Sequence, residues 1–141
     1  MIRTASARWM GNLKQGSGII STETGVLKDQ PYSFTSRVEN ATGTNPEELA
    51  GAAHAGCFTM KFVGVLTEAG FTVDEVQTTA RVSLELKGGD LSIPKIELVC
   101  LAKVKNIEDA KLQELGQNAK TNCPISRLYK GAEITLTLTR G

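Results

Sequence analysis

One histidine, one tryptophan, three cysteines and an aromatic share of 5% are all that a chain of 141 residues offers in those categories. Each shortage excludes something. A structural zinc site needs four Cys or His ligands at short paired spacings, and one His with three widely separated Cys cannot assemble one. Three thiols are also too few for a disulfide scaffold. Charge of one sign is missing too: 16 Lys and Arg stand against 15 Asp and Glu, a net +1. Nucleic acid is therefore not expected as a partner, because neutralising many phosphates takes a clear basic excess.

The N-terminal "MIRTASARWMGNLKQG" has no continuous apolar segment, so no signal peptide is expected, and the apolar runs elsewhere read as too short for a membrane span. A cytoplasmic location without membrane association follows as the expectation. In a reducing compartment a disulfide is more often catalytic or transient than structural. That places weight on Cys57, Cys100 and Cys123.

With 40% apolar and 22% charged residues, the chain reads as one globular domain over residues 1–141. "IRTASARW", "GSGIIST" and "YSFTSRVE" alternate like strands. "NPEELAGAAHAGCFTMKFVGVLTEAG" reads as a long helix, with Asn45 as N-cap, Pro46 at the first helical position and Glu48 closing a capping box. It should end near Ala69, before Gly70. "VDEVQTTARVSLEL" and "LSIPKIELVCLAKV", joined by "KGGD", predict a hairpin. A helix opened by Asn106 and stopped by Pro124, a short helix in "PISRLYK" and a last strand in "AEITLTLTR" complete the chain. The fold class expected is α+β, mainly antiparallel sheet packed on a long central helix and a second helix.

The candidate chemistry sits in "ELAGAAHAGCF", where small residues replace the Leu, Ile or Phe of an ordinary buried helix. They leave room beside Cys57 for a second element or a substrate. Cys123 precedes Pro124; if Pro124 opens a helix, Cys123 is its N-cap, where unpaired N–H groups favour a thiolate. Cys100, among Leu98, Val99 and Leu101, reads as core. His54, three residues before Cys57, could act as the base of a Cys-His hydrolase or be a satisfied structural histidine. Glu47, in the first helical turn, is free to orient an arginine, and Arg37 is the candidate. Phe34, Phe58, Met60 and Phe62 could line an organic-substrate pocket or simply pack the core.

"TETGVL", "QPYSFTSR", "GTNPEELAGAAHAGCF", "EAGF" and "NCPIS", in this order and spacing, resemble the OsmC/Ohr family of thiol-dependent peroxidases over nearly the whole chain, and the osmotically inducible OsmC branch most. The resemblance implies reduction of organic hydroperoxides by a cysteine pair. Cys57 matches the peroxidatic position and Cys123 the resolving one, which together pass through a sulfenic acid and an intramolecular disulfide. Arg37 matches the arginine that stabilises the thiolate, supplied in this branch by the "SR" segment, and Glu47 the glutamate that holds it. No metal, haem or flavin cofactor is implied; a dithiol, with lipoyl-type donors among the candidates, would supply electrons.

The resemblance also implies an intertwined homodimer, and helix geometry gives a separate reason for one. Ten residues separate Glu47 from Cys57, a rise of about 15 Å on a straight helix. Either the helix breaks near Gly51, or the thiol attended by Glu47 and Arg37 belongs to a partner subunit. The alternatives to a peroxidase are a non-catalytic redox-sensing or ligand-binding module on the same scaffold, and the Cys-His hydrolase.

Overall fold

The computed structural model describes residues 1–39 and 41–141 and divides into two compact units, Met1–Leu49 and Ala50–Gly141. In the first unit, β1 (Ala5–Met10), β2 (Ser17–Thr22) and β3 (Gln30–Tyr32) form an antiparallel sheet in the order β1-β2-β3. Trp9 and Tyr32 meet edge to face, ring centroids 5.3 Å apart. Gly18 lies beneath them, where a Cβ would come within 2.2 Å of the Tyr32 ring.

The strand expected over "YSFTSRVE" stops at Tyr32, and α1 (Phe34–Val38) follows. Alternation suggested a strand, but Ser33 and Ser36 form a reciprocal capping box. The Ser36 N–H donates to Ser33 Oγ at 3.0 Å and the Ser33 N–H to Ser36 Oγ at 2.9 Å. Local side-chain bonds of this kind outcompete a weak strand propensity. Arg37 therefore sits in the last turn of a helix, not at the end of a strand.

The long helix α2 runs unbroken from Pro46 to Glu68. Asn45 caps it, its Oδ1 accepting from the Glu48 N–H at 2.8 Å. The Glu48 carboxylate takes the Thr44 hydroxyl at 2.7 Å in place of the expected capping-box return. At the other end Gly70 adopts φ +85, and the Phe71 N–H donates to the Leu66 carbonyl at 3.0 Å, the left-handed cap only glycine adopts without strain. With 23 residues and an 18-residue window of mean hydropathy 1.3, α2 is also long and apolar enough to cross a membrane by those measures, contrary to the reading of the sequence. Ala50, Ala52, Ala53 and Ala55 supply apolarity that no run of large residues announced. Its large side chains Phe58, Phe62 and Leu66 are fully buried within the second unit, as in a core helix.

In that unit β4 (Val73–Lys87) and β5 (Asp90–Val104) form the expected hairpin, turning at Gly88 and Gly89 with φ +62 and +93. Two consecutive positive φ values are what a tight hairpin turn needs. β6 (Glu133–Arg140) adds parallel to β5, so the sheet order is β4-β5-β6. The parallel pairing requires a crossover, supplied by α3 (Asp109–Asn122) and α4 (Pro124–Leu128). On β5, alternate residues Ile96, Leu98, Cys100, Ala102 and Val104 are buried. From Leu98 onward they pack with Phe58, Phe62, Leu66, Leu112 and Ala119. Cys100 is thus the core cysteine expected, its pKa raised by burial.

Asn106 does not cap α3. It adopts φ +55 in the preceding turn, and Glu108 takes the cap position without a side-chain bond. Asparagine tolerates the left-handed conformation, and the turn delivers Ile107 into the core at 2% exposure.

Phe62 is fully buried and stacked on Phe58 at 5.7 Å between ring centroids. Phe62→Ala should lower unfolding free energy by about 3–5 kcal/mol, read from the midpoint of urea denaturation at constant m-value. A loss under about 1 kcal/mol would contradict this core assignment.

Candidate active site

Two side-chain constellations carry the chemistry-bearing residues, one in each unit. In the second unit, α2 buries Phe58 and leaves the preceding Cys57 partly exposed at the margin of the core. Cys123 ends α3 and begins α4, with Pro124 at the first position of the short helix, as the sequence suggested. The two sulfurs lie 3.0 Å apart, both unbonded thiols. Closing a disulfide, about 2.05 Å long, would take a movement of about 1 Å.

The two thiols are not equivalent. Burial pushes the Cys57 pKa up, and its hydrogen bond with Cys123 adds to the rise, while the Ile125 N–H works against it. Burial also opposes the Cys123 thiolate, but the hydrogen bond with Cys57, which Cys57 donates once Cys123 is ionised, the Ser126 N–H and hydroxyl and the Ile125 N–H outweigh it and bring the pKa down. No full capping bond closes on the resting Cys123 thiol; these groups turn their positive ends toward the sulfur, so their effect is on the anion. A close pair of this kind titrates as a unit, holding one proton between two sulfurs over a range of pH. In this chain that proton favours Cys57.

His54 is fully buried, and burial lowers its pKa. Its Nε2 lies 2.8 Å from Ser126 Oγ, and its ring meets Tyr129 edge to face at 5.5 Å. Nδ1 has no hydrogen-bond partner among the described residues. The hydrolase reading required His54 to serve Cys57, and its one bonded nitrogen is turned to Ser126 instead. Ser126, 8% exposed, was not singled out from the sequence, although it lies within "NCPIS", three residues past the capping Cys123. That spacing sets Ser126 on the first turn of the helix that Cys123 caps.

In the first unit the expected Arg37–Glu47 pair is present. Arg37 Nη2 donates to Glu47 Oε1 at 2.7 Å, and Nε donates to Oε1 at 3.0 Å and to Oε2 at 3.3 Å. Such a fork fixes the guanidinium plane as well as its charge. Backbone ties bring the two residues together: Ser36 Oγ donates to the Thr44 carbonyl at 2.9 Å, and the Thr44 N–H to the Pro31 carbonyl at 2.9 Å. Trp9, Leu13, Tyr32, Phe34 and Pro46 line a hollow of about 210 Å³ with Arg37. Of the four residues considered for a substrate pocket, Phe34 lines this hollow, Phe58 and Phe62 are core, and Met60 is 79% exposed.

The small residues of α2 serve two sides. A Cβ on Gly51 would sit 3.3 Å from Val82 Cγ2 of β4, so that side is a close helix-to-strand contact. Ala52, Ala53 and Gly56 are exposed, and a Cβ on Gly56 would meet nothing within 4 Å.

The thiol pair gives a prediction of opposite signs. Cys123→Ala removes two of the influences that raise the Cys57 pKa, which should fall. Cys57→Ala removes the hydrogen bond that favours the Cys123 thiolate, whose pKa should rise. Thiolate absorbance at 240 nm, titrated in a Cys100→Ala background, reads both; shifts of the same sign would contradict the shared-proton description.

The OsmC-like protein family matches residues 39–139. The chain is 47% identical to Peroxiredoxin OsmC of Escherichia coli (strain K12) over 134 residues, 95% of this chain and 93% of that one. It is 31% identical to the organic hydroperoxide resistance protein OhrB of Bacillus subtilis (strain 168) over 115 residues, 82% and 83% of the two chains. The crystal structure of Bacillus subtilis OhrB superposes with TM-score 0.73 at 28% identity, covering 98% of each chain. An organic hydroperoxide resistance protein from Elizabethkingia anophelis gives TM-score 0.77 at 23% identity over 100% of this chain and 99% of the other, a likeness of fold. Two closely placed thiols on an α+β scaffold and sequence identity along nearly the full length together establish that this chain belongs to the OsmC-like protein family.

Proposed function

We propose that this protein is a cysteine-based peroxidase that reduces organic hydroperoxides to alcohols, with Cys57 as the attacking thiol and Cys123 as the resolving one. The observation that carries the reading is the 3.0 Å separation of two free sulfurs, one partly exposed and one buried. Near-half identity to a peroxiredoxin supports it.

The chemistry starts from a pair holding one proton. Transfer of that proton from Cys57 to Cys123 makes Cys57 the thiolate, the form that attacks. Its sulfur takes the terminal oxygen of the hydroperoxide, the O–O bond breaks, and Cys57 becomes a sulfenic acid while the alkoxide leaves. The alkoxide takes the proton from Cys123, giving alcohol and a Cys123 thiolate. That thiolate then attacks the Cys57 sulfenic sulfur, the S–S bond forms and hydroxide departs. A thiol reductant restores both thiols, with lipoyl-type dithiols as candidate donors.

Arg37, oriented by Glu47, stabilises the attacking thiolate and the developing charge on the peroxide. Glu47 and Cys57 lie ten residues apart on the unbroken helix α2, about 15 Å along its axis. The unbroken course of α2 past Gly51 supports the reading in which the Cys57 attended by this arginine is a partner's. A homodimer follows, and the exposed small-residue face of α2 at Ala52, Ala53 and Gly56 fits close crossing by a second copy of that helix. Residues 1–141 then act as one OsmC-like domain per subunit, in the cytoplasm, where the thiols stay reduced between turnovers.

Cys57→Ser should abolish turnover of cumene hydroperoxide with dithiothreitol, since a hydroxyl cannot cycle through sulfenic acid. Cys123→Ser should keep the first reduction and leave a sulfenic acid on Cys57 that dimedone traps. Substantial turnover by Cys57→Ser would end the assignment. For the cross-subunit arrangement, Arg37→Ala and Cys57→Ser should each be defective alone. Mixed under subunit exchange they should recover one working site per heterodimer; verified heterodimers without activity would place Arg37 and Cys57 in the same subunit's site.

A further inference from the structure

We propose that His54 and Ser126 form a buried relay that holds Cys123 as the thiolate, making both positioning residues for the resolving step; this rests on the peroxidase reading of the thiol pair. His54 is fully buried with one ring nitrogen bonded and the other without a partner among the described residues. Two tautomers are compatible with a 2.8 Å contact to Ser126. If Nε2 accepted, the ring proton would sit on Nδ1, and a buried N–H would lack an acceptor. If Nε2 carries the proton and donates, Nδ1 is a bare acceptor, the less costly orphan, since unpaired buried N–H groups are the rarer kind.

The second arrangement decides what Ser126 does. A hydroxyl has one hydrogen and two lone pairs. With a lone pair taken by the His54 N–H, its hydrogen is free to turn to another acceptor. Geometry sets Cys123 beside it: Cys123 caps the short helix whose first turn carries Ser126, and one turn of α2 meets both, His54 at Ser126 and Cys57 at Cys123. No side-chain bond closes on the resting thiol, and the hydroxyl favours its anion. His54 therefore polarises the hydroxyl and fixes its direction. Tyr129 closes the other side of the imidazole. Cys57, Cys123 and Tyr129 are titratable groups that meet this line, and burial pushes Tyr129 toward its neutral form; on the other side Lys120, Arg127 and Lys130 line a hollow with Ser126.

The consequence lies in the step after peroxide reduction. Resolution joins the Cys123 thiolate to the Cys57 sulfenic sulfur and expels hydroxide. A second molecule of hydroperoxide competes by oxidising the same sulfenic acid to sulfinic acid, itself becoming alcohol. Keeping Cys123 ionised favours the disulfide over that irreversible loss.

The test measures Cys123 in the full chain without peroxide. In a Cys57→Ser, Cys100→Ala protein the one remaining thiol is Cys123, and its titration at 240 nm gives its pKa. His54→Phe and Ser126→Ala should each raise it by about one pH unit, the loss of roughly one hydrogen bond to a charged group. Both together should raise it no further than Ser126→Ala alone. His54→Gln, which keeps an N–H near the Nε2 position, should leave it near the parent value, whereas a merely space-filling role would be met by phenylalanine. In proteins with all three cysteines, His54→Phe should accumulate Cys57 sulfinic acid at about tenfold lower cumene hydroperoxide, read as a 32-dalton mass gain. An unchanged Cys123 titration in His54→Phe and Ser126→Ala overturns the relay, even where peroxide turnover stands. Absence of turnover in the unmodified protein would instead overturn the peroxidase reading and leave the titration interpretable. Should His54→Phe fail to fold, ring nitrogen shifts of the unmodified protein decide. His54 is the only histidine, so its signals need no assignment, and a proton on Nδ1 overturns the proposal.

Discussion

Burial of one face of α2 is the constraint on which the rest of the second unit depends. Phe58, Phe62 and Leu66 are fully buried and recur at helical spacing, and they pack with the alternate residues of β5 and the inner face of α3. Once that face is fixed, the rotation of α2 is fixed, and Cys57 must stand at the edge of the core. The same core seats α3 through Leu112, Leu115 and Ala119, which delivers Cys123, the residue that caps its end, to within 3.0 Å of Cys57. Sulfur-to-sulfur proximity is thus a product of apolar packing, with no covalent link in the resting protein to impose it.

Proximity alone would leave two interchangeable thiols. Their difference comes from the residues after Cys123. Pro124 sets the start of α4 and has no N–H of its own, so the N–H groups that reach the Cys123 sulfur belong to Ile125 and Ser126. Those groups lower the Cys123 pKa despite burial, and Cys57 is left with the shared proton. In the proposed reaction the shared proton must move to Cys123 before Cys57 attacks; from there it is available to the departing alkoxide, and a Cys123 thiolate remains for the sulfenic acid. His54, tied to Ser126 at 2.8 Å, extends the polar line from Cys123 into α2.

Small residues in α2 answer two different demands. Gly51 permits contact with Val82 of β4 at a distance where a larger side chain would force the strand away. Ala52, Ala53 and Gly56 instead keep an exposed face low. One composition therefore serves an internal contact and an external surface, and sequence alone could not separate them.

The long helix with its Asn45 cap and Gly70 stop, the β4–β5 hairpin around "KGGD", the core role of Cys100 and the capping position of Cys123 were all legible in the sequence. Each follows from local chemistry: a cap, a positive φ, a period of two, a proline. Motif order likewise pointed to the family, and it singled out Cys57, Cys123, Arg37 and Glu47 together. Tertiary structure decided what depends on residues distant in the chain. It set the distance between the paired sulfurs at 3.0 Å, turned His54 toward Ser126 and left its Nδ1 unpartnered among the described residues, and set β6 parallel to β5. It also turned "SFTSR" into a helix, where Ser33 and Ser36 cap one another and Ser36 reaches the Thr44 carbonyl. Local propensity has a short range, whereas a sulfur's partner and a hydroxyl's direction are fixed by what the core brings beside them.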